Sequence, residues 1–248
     1  MRDANDESAI HTGAMHNVRI RLAVIDTGGT TIRDDDVVIT ACVEALAAYG
    51  AGPEVPGFED RLRYIKFSMG RTRLDVFRYL LRDGGTARLA NRVFEAAVES
   101  AVVQGDIEPF PGARRAIDEL RDAGIAVCLT TSMSQRTLDR IVEVVGWKDA
   151  VDLTLAPGFG VRSRPHPDLV LMAMMRLGID AVREVSVVGD TVADLVAGSR
   201  AGASVVVGVS SGAHDAKMLR ATPHTHLLEG IDQVPGVLID QRVPMTAA

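Results

Sequence analysis

With 248 residues, 47% of them hydrophobic and 24% charged, the chain has the composition of a globular protein, long enough for one large domain or two modest ones. A formal charge of −6 argues against a nucleic-acid partner, since phosphate backbones recruit basic faces, and aromatics at 4% make a poor stacking platform. No apolar run reaches the length of a membrane span. Cys42 and Cys128 sit at unrelated apolar positions, so they read as buried free thiols and the expected location is cytoplasmic.

Residues 1–17 are polar, aperiodic and without the apolar stretch of a signal peptide, and they read as a disordered tail, as do residues 241–248. The first strand is expected over 20–25 (IRLAVI), and it delivers Asp26 into a loop of glycines and threonines, Thr27 to Thr31. Residues 27–124 then offer no strand pattern, only helical patterns at 40–49, 59–67, 71–82 and 86–103. The simplest organisation is a core domain of residues 18–33 and 109–240, interrupted by a helical cap domain over 34–108.

From Pro109 onward strands alternate with helices: strands at 125–130, 151–155, 184–188 and 203–209, helices at 112–123, 134–145, 166–177 and 191–201, and a short last strand at 226–228. Ala113, Ala116, Ile117 and Leu120 make the apolar stripe of the first of these helices, and Gly124 follows as its C-cap. The strands are β-branched and continuously apolar, as buried parallel strands are. Alternation of this kind predicts an α/β protein with a doubly wound parallel sheet.

Four polar residues fall at the C-terminal ends of predicted strands, where open α/β sheets bind ligands: Asp26, Thr131, Arg164 and Asp190. Asp26 could simply cap the following turn, but glycines at +2 and +3 let the backbone approach and cradle an anion. Asp190 and Asp194, four residues apart in "VVGDTVADLVAG", would share a helix face; N-capping alone is one reading, and a hard divalent cation such as Mg2+ is the other. Thr131 is an ordinary strand-end hydroxyl. Arg164, before Pro165, is either a surface charge or a fixed cation for phosphate.

Taken in order, Asp-x-x-Gly-Thr, then Thr, then a cation before Pro, then Gly-Asp-x-x-x-Asp, the motifs over residues 20–239 resemble the haloacid dehalogenase superfamily. The phosphonatase-like branch, which includes phosphonoacetaldehyde hydrolases, is the nearer match, through Asp26-Thr27-Gly28-Gly29-Thr30-Thr31, "LTTS" at 129–132, "SRPHPDL" at 163–169 and "GVSSGAHDAKML". The resemblance implies a Rossmann-like core with an inserted cap, and Asp26 as a nucleophile that becomes an aspartyl-phosphate. It implies Mg2+ held by Asp26, the Gly28 carbonyl and Asp190, with Asp194 as ligand or anchor. Thr131 and the N–H groups of Gly29 and Ser132 would hold phosphate oxygens, and Arg164 would stand where a lysine is common.

Two departures bear on the chemistry. Most phosphatases of the superfamily carry a second aspartate at +2 as general acid and base, and Gly28 can do neither. The phosphonatase branch uses a cap lysine within Met-Gly-x-x-Lys to form an imine, and here "SMGRTRLDVF" puts Arg73 there, with Val76 in place of a histidine. Lys66, the one lysine of the cap, lies seven residues earlier and beyond Met69-Gly70, a displacement of about 10 Å if counted as two helical turns. Arg71 and Arg73 are either solvated helix charges or ligands for a carboxylate or second phosphate.

His214 and the His224/His226 pair lack a third ligand for zinc. The expected function is therefore a Mg2+-dependent hydrolase of a small phosphorylated or phosphonate metabolite, with no membrane partner and with a homodimer left open. The alternatives are carbon–phosphorus cleavage of the phosphonoacetaldehyde type through Lys66, and a phospho-ligand-binding module weakened by Gly28 and Arg73. Halide displacement fits least, because it needs no metal and so no pair Asp190 and Asp194.

Overall fold

The computed structural model describes residues 19–239, so the segments expected as tails, 1–17 and 241–248, lie outside the described residues. Strand β1 (Leu22–Asp26) is buried along its whole length, with Leu22 and Val24 packed to one side of the sheet and Ala23 and Ile25 to the other. A strand covered on both faces has no reason to alternate, and this explains its unbroken apolar run.

After β1 the chain makes a two-residue strand β2 (Ile32–Arg33) and then four helices: α1 (Asp35–Ala47), α2 (Phe58–Phe67), α3 (Arg73–Leu81) and α4 (Gly84–Gln104). It returns through β3 (Glu108–Pro109), which pairs antiparallel with β2 through Ile32 opposite Pro109 and Arg33 opposite Glu108. This small ribbon was not expected, because two residues carry no periodicity. Helix α1 begins five residues before its expected start at 40, in the acidic run 34–36, a composition that suits a helix N-terminus. Helices α3 and α4 lock together through Phe77 and Phe94, edge to face at 6.2 Å, and Tyr64 of α2 stacks on Tyr79 at 4.2 Å.

The remainder alternates as predicted: α5 (Ala113–Asp122), β4 (Ala126–Thr130), α6 (Gln135–Val144), β5 (Leu153–Leu155), α7 (Asp168–Arg176), β6 (Val185–Gly189), α8 (Val192–Ala201), β7 (Val205–Val209), α9 (Ala216–Arg220), β8 (His226–Leu228) and α10 (Val234–Leu238). Six strands form one parallel sheet in the order β5-β4-β1-β6-β7-β8, which is the doubly wound Rossmann-like arrangement expected. Ile117, Leu120, Leu138 and Val142 cover one face around Ala23 and Val127, and Val170 and Ala173 cover the other around Val24 and Cys128.

The chain builds from β1 outward to β5, then crosses back to lay β6 on the other side of β1. That reversal opens a crevice at the C-terminal ends of β1, β4 and β6. Helix α4 is tied to the core beside this crevice. Glu95 accepts the Thr137 hydroxyl at 2.6 Å and the Ser134 N–H at 3.4 Å, at the start of α6. Among the described residues no helix is long and apolar enough to cross a membrane.

Candidate active site

At the end of β1 the backbone folds tightly on itself. The N–H groups of Thr31 and Ile32 both donate to the Thr27 carbonyl at 2.9 Å, and that of Gly29 donates to the Ile32 carbonyl at 2.8 Å. Gly29 has φ +77°, and a β-carbon there would lie 2.7 Å from the carboxyl carbon of Asp190. Only glycine gives both the left-handed turn and the room for that carboxylate.

Asp190 follows β6 and is held from two sides, accepting the Thr30 hydroxyl at 2.9 Å and the Ala213 N–H at 2.7 Å. Asp194, in the first turn of α8, closes a capping box with Thr191: its Oδ2 accepts the Thr191 N–H at 3.0 Å and the Thr191 hydroxyl at 2.5 Å. Its other oxygen pairs with Arg164, whose Nη1 also lies 2.6 Å from Oδ1 of Asp26. Asp26, Asp190 and Asp194 are all buried, and each offers an oxygen within 4.8 Å of the others.

Three carboxylates against one guanidinium leave a formal charge of −2 in a buried space. The electrostatics register this. Burial, with the neighbouring carboxylates of Asp194 and Asp190 adding to it and Arg164 opposing, raises the Asp26 pKa well above the ordinary carboxylate range. Asp190 is pushed up to about 7, chiefly by burial and next by Asp194. For Arg164 burial works against the charge, yet Asp194 and Asp26 outweigh it and hold its pKa above the usual arginine value.

Asp26, Asp190 and Arg164 open onto a cavity of about 380 Å3, walled on the sheet side also by Gly28, Gly29, Thr131 and Ser132, and on the helical side by Lys66, Met69, Arg73 and Phe94. The residues singled out in the sequence thus converge, with Asp194 in contact with Arg164, but Arg164 comes from the loop between β5 and α7 rather than from a strand end as expected.

The helical side differs from expectation. Arg71 is exposed and lies outside this cavity, because the chain turns outward just before Thr72 caps α3. Arg73 does line the cavity, but it is buried rather than solvated. Its Nη2 donates to the carbonyls of Ser68 at 2.9 Å and Arg71 at 2.8 Å, strapping the turn between α2 and α3. Lys66, expected about 10 Å from the Arg73 position when counted as two helical turns, lines the same cavity as Arg73. The break expected between the helices falls after Phe67, and Gly70 at φ +82° reverses the chain there and brings the two cations to one wall. Of two further neighbours of the site, His214 was weighed in the sequence only as a metal ligand and Asp34 was missed. His214 accepts the Val192 N–H at the start of α8 at 2.9 Å, and Asp34, first of an acidic run that reads as solvated surface, lines the cavity.

The family model for haloacid dehalogenase-like hydrolases matches residues 20–202. The "Probable phosphatase IndB" of Dickeya dadantii (strain 3937) is 28% identical over 219 residues, 87% of this chain and 92% of that protein. A phosphonoacetaldehyde hydrolase of Pseudomonas putida is 25% identical over 256 residues, 89% of this chain and 92% of that one. The crystal structure of a hydrolase from Pseudomonas syringae shares the fold at a TM-score of 0.76 and 22% identity, covering 88% of this chain and 97% of that chain.

Proposed function

The chain belongs to the haloacid dehalogenase-like hydrolase family, and from that membership we propose that it is a Mg2+-dependent enzyme that hydrolyses a small phosphorylated or phosphonate metabolite through an aspartyl-phosphate on Asp26. The observation that carries this reading is the buried cluster of Asp26, Asp190 and Asp194 around Arg164, placed at the mouths of β1 and β6.

The donor set fits a hard divalent cation: it is all oxygen, it is buried, and it carries two uncompensated negative charges. Asp26 and Asp190 would hold Mg2+ together with the Gly28 carbonyl, while Asp194, with both oxygens engaged by Arg164 and Thr191, steadies the set. When bound, the ion offsets repulsion between the carboxylates and the phosphoryl oxygens.

The chain's own residues do the rest. Asp26 attacks phosphorus from the floor of the crevice. Arg164, fixed between Asp26 and Asp194, keeps the attacking oxygen aimed and adds positive charge beside the phosphoryl group. Thr131 and Ser132 bind the remaining oxygens; the Gly29 N–H, expected to join them, is instead held by the Ile32 carbonyl. Helices α1–α4 act as a cap domain over residues 34–108, whose closure excludes bulk water. Arg73 supports this wall chiefly by holding the 68–71 turn, and its charge on the cavity wall would attract a second anionic group of the substrate.

With a panel of phosphate monoesters, turnover should require Mg2+, vanish in EDTA, and fall by at least about a thousandfold in Asp26→Asn. Undiminished turnover by Asp26→Asn rejects the mechanism. Tight binding of esters without release of phosphate would favour a binding module instead.

Lys66 in the cavity wall supports a second reading, cleavage of a carbon–phosphorus bond. Its amine would condense with a substrate aldehyde and lose water. As Asp26 takes the phosphoryl group, the C–P electron pair would pass into the protonated imine to give an enamine, which takes a proton at carbon, and water would then release the aldehyde from Lys66 and phosphate from Asp26. Borohydride with phosphonoacetaldehyde should then label Lys66; an unlabelled protein removes this reading.

A further inference from the structure

Beyond a nucleophile, phosphate-ester hydrolysis needs proton traffic. An alcohol departs poorly as an alkoxide and takes a proton as its bond to phosphorus breaks. The water that later attacks the phosphorylated carboxylate must lose one. Asp26 is committed as nucleophile, Asp190 to the cation and Asp194 to Arg164 and Thr191, and Arg164 and Arg73 are guanidinium groups that do not exchange protons at working pH. Of the carboxylates and amines that line the cavity among the described residues, Asp34 and Lys66 remain.

Their placement separates them. Lys66 enters from the last turn of α2 and is exposed, whereas Asp34 is half-buried and rooted in the segment that leaves the nucleophile loop. The turn that bonds Gly29 to Ile32 folds the chain back beside Gly28, and Asp34 follows two residues later. Its carboxylate stands over the α-carbon of Gly28: a β-carbon at Gly28 would lie 2.9 Å from the Asp34 carboxyl carbon and 3.2 Å from its Oδ1. Position 28 therefore has to be glycine for Asp34 to occupy this spot, two residues from the nucleophile and on the cavity wall. An acid is present where the residue type at 28 had left none, delivered from six residues downstream.

We infer that Asp34 is the proton-transfer residue of this site. Resting on the phosphohydrolase reading above, the steps balance as follows. An oxygen of Asp26 bonds to phosphorus as the ester P–O bond breaks, and the proton of the Asp34 carboxyl passes to the departing oxygen, giving the alcohol. The Asp34 carboxylate then takes a proton from water as that water attacks phosphorus. The bond to Asp26 breaks, inorganic phosphate leaves, and Asp34 is again protonated. The sum is ester plus water to alcohol plus phosphate.

The test uses three esters of near-equal size, p-nitrophenyl, phenyl and benzyl phosphate, whose leaving groups run from an acidic phenol to an alcohol. The Mg2+-loaded parent protein, Asp34→Asn and Lys66→Met are compared. If Asp34 serves as the acid, Asp34→Asn slows the benzyl ester by about a hundredfold or more. In the first turnover the loss shrinks toward the p-nitrophenyl ester, whose cleavage instead shows a burst of about one equivalent of nitrophenolate before slow steady turnover. Lys66→Met keeps the parent's dependence on leaving group. Equal loss on all three esters without a burst, or no loss on any, overturns the inference. The steep dependence on leaving group appearing in Lys66→Met instead assigns the role to lysine and overturns it equally. Asp34→Ser provides the same readout should Asp34→Asn disturb the start of α1. Failure of the parent itself to turn over any of the three with Mg2+ would count against the phosphohydrolase reading, a result distinct from any of these.

Discussion

Among the described residues Arg164 is the one guanidinium set against Asp26 and Asp194, and it is 5% exposed. A buried cation between two carboxylates is poor evidence of net stabilisation, since all three were taken out of water to make it, but breaking such a set by removing one member is costly. Arg164→Met should destabilise the protein in EDTA by about 3–5 kcal/mol, because it leaves the carboxylates facing one another. Saturating Mg2+ should recover part of that loss by putting positive charge back into the cluster. Arg164→Lys should fall between the two, keeping the charge but not the fork that reaches both acids. Urea unfolding with and without Mg2+ measures all three. An Arg164→Met protein as stable as its parent in EDTA would mean that the ion pairs to Asp26 and Asp194 count for little.

At the scale of elements, legibility followed periodicity. The core strands and the helices α5 to α8 were readable because each carries many residues of one pattern, and the apolar stripe Ala113, Ala116, Ile117 and Leu120 is buried as expected. Asp26, Thr131 and Asp190 were readable for the same reason: once the strands are placed, the residues ending them are placed too. What escaped depends on how elements are joined. The β2–β3 ribbon has two residues per strand and no signal of its own. Lys66 and Arg73 share a wall only because the chain reverses at Gly70, where a β-carbon would lie 3.0 Å from the Ala193 side chain on the core, so the turn is set by close approach to α8. Asp34 escaped because "RDDD" is indistinguishable from a solvated acidic run until the loop at Gly28 is folded. The wall of a cavity assembled from four helices and three strand ends is a tertiary fact.

For the molecule as a whole, burying three acids at the seam between sheet and helices ties folding to protons and to the cation. Asp190 is pushed up to about 7 by burial and by Asp194, and Asp26 is also raised, first by burial, whereas an unfolded chain titrates such groups near pH 4. In EDTA, between about pH 4 and 7, the folded state therefore binds protons that the unfolded state has released, so the stability these groups contribute falls as pH rises through that window. It is fully present below the unfolded value and gone above the folded one. His214 and His226, whose pKa values burial lowers, act with the opposite sign, so the absolute slope mixes the two. The increment produced by Mg2+ is free of that mixture to the extent that the histidines titrate alike with and without the ion. Cation binding requires the carboxylates ionised and must displace their protons. The rise in Tm on adding Mg2+ should thus be clearly larger at about pH 8 than at about pH 5.5. Asp190→Asn should both shrink the rise and flatten its dependence on pH. Equal increments at the two pH values in the parent protein would mean that the three acids do not hold the ion.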